Sequence, residues 1–229
     1  MIYTTKVVVE LPVKAMQKVN IENCYRKYTY PFVETICLID GKPRLLRYHN
    51  RRLNHTRKMI FGSTDFIDLA DYIPQKFHSG KQKLRVLYNE RILSVKATDY
   101  QIDEIEKISA VTIDSSFSYT YKSSNRAYFA QLLDEHNAQD LVLIQNNLIT
   151  DTTYCNLIFF DGHRWLTPSQ PLLEGCMRQN LIENHGILPV IIRTEDLDKL
   201  VSFKRINAMR SFDEAQEIAI SAILIEQKC

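Results

Sequence analysis

Residues 148–180 read LITDTTYCNLIFFDGHRWLTPSQPLLEGCMRQN, and the order of apolar runs and breakers in them carries the main structural argument. YCNLIFF and HRWL are rich in β-formers and flank Asp161-Gly162. An Asp-Gly pair supplies the positive φ angles of a type I′ turn, so this segment predicts a β-hairpin. Pro171, Leu172-Leu173 and Gly175 then open a helix expected over residues 174–184 and stopped by Gly186.

The same punctuation recurs outward from this stretch. Asp40-Gly41 separates VETICLI from KPRLL, Asn146-Asn147 separates LVLIQ from LITDT, and LRVLYNERILSVKA turns near Asn89-Glu90. Each predicts a strand pair. Helical spacing marks residues 48–61, with Gly62 as C′ residue, and residues 125–137. A short helix is expected at 194–200, and Ala215 to Ile225 reads as one apolar strand, better suited to the core than to a contact. Strands and helices in this order argue α+β rather than a regularly alternating parallel sheet. The polar, acidic QIDEIEK at 101–107 suggests a division into a small N-terminal α/β domain, 1–104, and a larger C-terminal domain, 105–229.

Composition bounds the function. The 229 residues are 45% hydrophobic and 24% charged, which excludes collagen-like, low-complexity and disordered classes. Lys plus Arg number 29 against 27 Asp plus Glu, a balance that argues against nucleic-acid or membrane partners. Cys24, Cys37, Cys155, Cys176 and Cys229 are scattered, without a C-x-x-C pair, so a metal site is not expected and a reducing compartment is. Lys6, Glu10 and Pro12 interrupt the apolar residues of the N-terminus, and the run 218–225 is short of the ~20 residues of a membrane helix. A cytoplasmic protein is the expectation.

Four segments could carry chemistry, each with a plainer reading beside it. RLLRYHNRRLNHTRK, 44–58, is a solvated helix face, a nucleic-acid surface, or the source of one arginine that holds a phosphate. Lys122 in SYTYKSSNR lies between a β-prone aromatic segment and a helix start, where desolvation would lower its pKa as a Schiff-base lysine requires. An ordinary surface lysine is its alternative. Asp151 could cap a turn or pair with a buried cationic nitrogen. Gly175 could simply start a helix or let a phosphate approach the free N–H groups there.

In order, these segments resemble the fold-type IV, or class IV aminotransferase-like, family. The resemblance runs from about 32 to 223 and is carried by FVETI, DGKPRLL, HNRRL, KSSNR, ITDTTYCNLIFF, LTP and LLEGCMRQ. It implies two α/β domains with pyridoxal 5′-phosphate in the cleft between them, a small-molecule amino substrate, and a homodimer. Lys122 would be the catalytic lysine that carries the cofactor, and Arg52 the phosphate-binding arginine. Gly175, Cys176 and Met177 would cradle the same phosphate through their N–H groups. Asp151 would face the pyridine nitrogen, with Asn156 following at the family's usual distance. The chain departs from the pattern twice: Asp151 is one methylene shorter than the family's glutamate, and Met177 lacks the hydroxyl of a common threonine.

The resemblance implies either 4-amino-4-deoxychorismate lyase chemistry or transamination of D- or branched-chain amino acids. GCMRQ, KSSNR and INAM (206–209) tilt toward the lyase. A binding protein that has lost catalysis is the non-enzymatic reading. Cys155 and Cys176 read as buried small residues near the cofactor.

Overall fold

The computed structural model describes residues 30–74, 79–102 and 104–225. Cys24, Cys229 and the N-terminal segment discussed above lie outside these residues. Strands β1 (Phe32–Ile39), β2 (Lys42–Pro43), β3 (Lys81–Tyr88) and β4 (Ile92–Asp99) form an antiparallel sheet in the order β2-β1-β3-β4. Asp40 and Gly41 both take positive φ, 48° and 76°, which is the turn their residue types favour. Helix α1 (Leu46–Phe61) covers one face of this sheet and ends on Gly62 at φ 69°.

Pleating assigns that sheet's side chains. Phe32, Ile36 and Leu38 of β1 and Leu84, Val86 and Tyr88 of β3 form a core with Leu53 of α1. The alternate positions Val33, Thr35, Lys83 and Arg85 turn to the opposite face and wall a cavity. Glu34 shares the parity of the apolar set, so the strand carries a carboxylate into the helix-facing side, where it is wholly buried.

The remaining strands build a second, mixed sheet. They are β5 (Ile108–Thr112), β6 (Leu141–Gln145), β7 (Leu148–Thr152), β8 (Asn156–Phe160), β9 (Trp165–Pro168), β10 (Leu188–Val190), β11 (Ser202–Ile206), β12 (Ile218–Ala219) and β13 (Ile223–Ile225). The main order is β10-β9-β8-β7-β6-β5-β13, with β11 pairing both β8 and β12. Helices α2 (Ala127–Glu135) and α3 (Cys176–His185) accompany it, and Gly186 closes α3 at φ 68°. Residues Thr194–Lys199 form a 3-10 helix. Val142, Ile144, Leu157, Phe159 and Phe203 lie in this sheet's main core.

Two expectations are corrected. The Asp161-Gly162 hairpin forms, but its turn spans residues 161–164: only Gly162 has positive φ, and Asp161 Oδ1 accepts from the N–H groups of His163 and Arg164. The side-chain bonds let Asp161 cap a longer loop. Residues 215–225 are not one strand. β12 pairs with β11 and β13 with β5, and the 3-10 turn Ile220–Ala222 carries the chain between these separate partners. Asn146 and Asn147, by contrast, both sit at positive φ in a two-residue turn. Among the described residues no helix is long and apolar enough to cross a membrane.

Candidate active site

Lys122 stands where the two sheets meet. Val33 N–H donates to the Lys122 carbonyl at 2.9 Å, Ser124 N–H donates to Pro31 at 2.9 Å, and Ser123 bridges to Phe32. The loop that follows the aromatic segment is thus fastened to β1. The Lys122 side chain enters a cavity of about 790 Å³ that Arg52, Asp151, Asn156, Gly175 and Cys176 also line. Burial pushes the Lys122 amine down to about 8, helped by the Arg52 and Arg126 guanidinium groups and opposed by Glu34. It forms no ion pair with any described residue, so the ordinary surface-lysine reading fails on its environment.

Arg52 is held from below. Its Nε donates to Glu34 Oε1 at 2.8 Å and its Nη2 to Glu34 Oε2 at 2.6 Å, a bidentate pair. His49 Nδ1 lies 2.6 Å from the same Oε2 and 3.5 Å from Cys176 Sγ. Burial alone would raise the Glu34 carboxyl, but Arg52 and His49 hold it at about 2. Burial opposes charge on His49, yet the Cys176 sulfur and Glu34 raise it to about 9. The Cys176 thiol is lowered, because Arg52 and His49 outweigh its burial. The Glu34, His49 and Cys176 donor atoms lie within 4.8 Å of one another. Arg52 already supplies the cation beside that carboxylate.

Neither Glu34 nor His49 stood out in the sequence as a functional residue. The available signal was a lone carboxylate at an apolar parity position of FVETICLI. Three other cations of the basic run are also paired: Arg57, wholly buried, forms a bidentate bond to Asp65, and Arg47 and Arg51 reach Glu183. Four arginines of the run are therefore held by specific carboxylates, with Arg52 the member that reaches the cavity.

Asp151 and Asn156 face each other across the β7–β8 pair. Asn156 Nδ2 donates to Asp151 Oδ1 at 2.7 Å and to the Leu173 carbonyl at 2.9 Å, while Leu173 N–H donates to Asp151 Oδ2 at 2.9 Å. Burial raises the Asp151 carboxyl to about 7 against these bonds and the nearby Arg178. A Cβ built on Gly175 would collide with Asn156 Oδ1. Gly175 has an ordinary extended backbone, φ −72° and ψ 142°, so it is glycine for space and not for conformation.

Gly175 caps α3, whose first intrahelical bond runs from Gln179 N–H to the Gly175 carbonyl. The N–H groups of residues 176–178 lie ahead of that ladder. The Met177 side chain packs with Ile158, Leu181, Ile187 and Ile206, away from the cavity, so only its main chain can serve there. Cys155 fits its reading as a buried thiol, raised to about 11 by burial. Asn207 Nδ2 contacts its sulfur at 3.2 Å, which brings INAM to the cavity wall.

Comparison with known proteins agrees with this geometry. The family model described as "Amino-transferase class IV" matches residues 32–212. A Schizosaccharomyces pombe protein provisionally named an aminodeoxychorismate lyase is 35% identical over 171 residues, covering 66% of this chain and 72% of its own. The crystal structure of a Haemophilus somnus protein, provisionally a 4-amino-4-deoxychorismate lyase, is 27% identical with a TM-score of 0.74, covering 81% of this chain and 99% of that one. A hypothetical aminotransferase of Mycobacterium tuberculosis in its PLP-bound form shares the fold at 17% identity and a TM-score of 0.66, covering 82% of this chain and 80% of that one. The chain belongs to the class IV amino-transferase family, whose members are pyridoxal-phosphate-dependent enzymes.

Proposed function

We propose that the protein is a pyridoxal-phosphate-dependent 4-amino-4-deoxychorismate lyase, releasing pyruvate and 4-aminobenzoate. The observation that carries this reading is the charge of the cavity. Lys83, Arg85 and Arg126 line it beside Lys122, and none of the three forms a salt bridge with a described residue. Arg126 instead donates to the Thr153 carbonyl at 2.6 Å and stacks on Phe129 and Tyr154. Three uncompensated cations suit a substrate with two carboxylates, which aminodeoxychorismate has and a simple monocarboxylic amino acid lacks.

The residues fit the cofactor. Arg52 and the N–H groups of 176–178 offer a cation and a helix opening for its phosphate, and the absent Cβ of Gly175 leaves that approach clear. Asp151 would face the ring nitrogen, and a carboxyl balanced near neutrality accepts charge once a cation is beside it. Asn156 holds Asp151 in place. When bound, the cofactor supplies an electron sink for the carbon next to the substrate nitrogen. Lys122 would take the proton from that carbon, and its lowered pKa leaves more of the amine free to do so near neutral pH. Arg85 and Lys83, on one face of β3, would hold the carboxylate of the departing three-carbon unit. We place the two domains at 1–104 and 105–229, which is supported by a separate sheet and core on each side of the boundary.

Absorbance of the protein mixed with pyridoxal phosphate tests the cofactor. A yellow band that borohydride fixes, absent in Lys122→Ala, is expected. Stoichiometric pyruvate and 4-aminobenzoate from aminodeoxychorismate would support the lyase. Conversion of the cofactor to its amine form by D- or L-amino acids, without lyase turnover, would assign a transaminase instead.

A further inference from the structure

Arg52 has three guanidinium nitrogens, and Glu34 takes two of them. Nε and Nη2 are engaged on the two carboxylate oxygens, while Nη1 points to the Glu174 carbonyl at 3.3 Å, directly ahead of the α3 opening. Glu34 has no other access: it is wholly buried, and its Oε2 also meets His49 Nδ1 at 2.6 Å. His49 is wholly buried too, one turn before Arg52 on α1. A buried carboxylate between two cationic side chains is retained only where its partners hold it. Here the arrangement dictates which edge of Arg52 is free and where it is aimed.

We propose that Glu34 and His49 are positioning residues for the cofactor's phosphate: Glu34 clamps Arg52 so that its Nη1 edge faces the α3 opening, and His49 braces Glu34 at Oε2, the oxygen that Arg52 Nη2 also binds. This rests on the reading of Arg52 and α3 as the phosphate site. The clamp spends both fork contacts of Arg52 on orientation and leaves one edge for the anion. Preorganised donors bind better than mobile ones because less side-chain freedom is lost on binding. The carboxylate also offsets one of the two cations, so the site carries a single net positive charge instead of two.

The test compares two ligands, pyridoxal phosphate and pyridoxal, titrated into cofactor-free protein and followed by absorbance. Both occupy the Lys122 end, but only one has a phosphate, so their affinity ratio reports on the phosphate site alone. In the wild type pyridoxal phosphate is preferred. Glu34→Gln, which keeps the shape and loses the charge, is expected to lower the preference by about 10- to 100-fold, the worth of a hydrogen bond to a charged group. His49→Gln is expected to shift it the same way by less. Arg52→Gln should abolish most of it, and adding Glu34→Gln to that variant should then change nothing further, because the two act through one residue.

A merely structural role would lower the melting temperature and weaken both ligands together, leaving the ratio intact. An unchanged ratio in Glu34→Gln, or in His49→Gln should Glu34→Gln not fold, overturns the proposal. A wild type that binds neither ligand overturns the cofactor reading itself, which is a different result.

Discussion

The Asn156 side chain fills the space in which residue 175 would carry a Cβ, so Gly175 and Asn156 are fitted to each other. Asn156 is in turn held by Asp151 and the Leu173 carbonyl, and cannot simply move aside. Gly175→Ala is therefore expected to cost ~1–3 kcal/mol, the usual range for overpacking a filled site, and to weaken pyridoxal phosphate binding. Gly62→Ala makes the contrast. Nothing lies within 4 Å of a Cβ there, but φ is 69°, so its cost of ~1 kcal/mol would come from backbone strain with cofactor affinity unchanged. Urea unfolding and a cofactor titration of both variants separate the two causes.

Asp151 should leave a signature in the pH dependence of stability. Burial raises its carboxyl from the ordinary 3.8 to about 7, so between those values the folded protein holds a proton that the unfolded chain has lost. Stability of the cofactor-free protein due to this group falls as pH rises from about 4 to about 7. Asp151→Asn removes the dependence, and above pH 7 the variant should be no less stable than the wild type. Its pyridoxal phosphate complex should nevertheless lose most turnover, because the ring nitrogen has no carboxylate. A variant that retained full turnover would refute the assignment.

Lys122 should set the pH dependence of cofactor capture. The free amine is the attacking form, and the group sits near 8 instead of 10.5. The rate of incorporation should climb about tenfold per pH unit below 8 and level off above it. Stopped-flow absorbance measures this directly. A rate still climbing at pH 10 would mean that the lysine is not desolvated.

Arg85 lies on the same face of β3 as Lys83, and both line the cavity. Arg85→Gln is expected to raise KM for aminodeoxychorismate by about tenfold or more, in line with losing a charge-assisted bond, while the affinity for pyridoxal phosphate stays put. If KM is unchanged and the cofactor binds less tightly, the side chain serves the cofactor instead.

Acid should expose the clamp. Glu34 lies at about 2 against an ordinary 4.5, so its contribution is complete above 4.5 and disappears as pH falls toward 2. Chemical denaturation between pH 5 and 3 should show a loss in the wild type that is smaller in Glu34→Gln.

Parts of the local frame were legible because they are short-range. Asp151 near a strand end, Gly175 ahead of a helix, and the turns at Asp40-Gly41 and Asn146-Asn147 follow from spacing. The aromatic segment before Lys122, by contrast, forms no strand, and Lys122 lies in a loop between Thr112, where β5 ends, and α2. Met177 shows the limit of that reading. The sequence placed it in the phosphate segment, and only packing shows that its side chain belongs to the core beneath.

The linear chain by itself determined the order of most elements and the turns at Asp40-Gly41 and Asn146-Asn147, since these depend on neighbours a few positions away. It did not determine that residues 215–225 divide between β11 and β5, because an apolar run carries no mark of its partner. Nor did it determine the roles of Glu34 and His49. A buried carboxylate is tolerable only where cations meet it, and here they come from α1, 15 and 18 residues away, once that helix lies on the sheet. Tertiary structure decides such pairings because burial turns an ordinary charge into one that must be partnered.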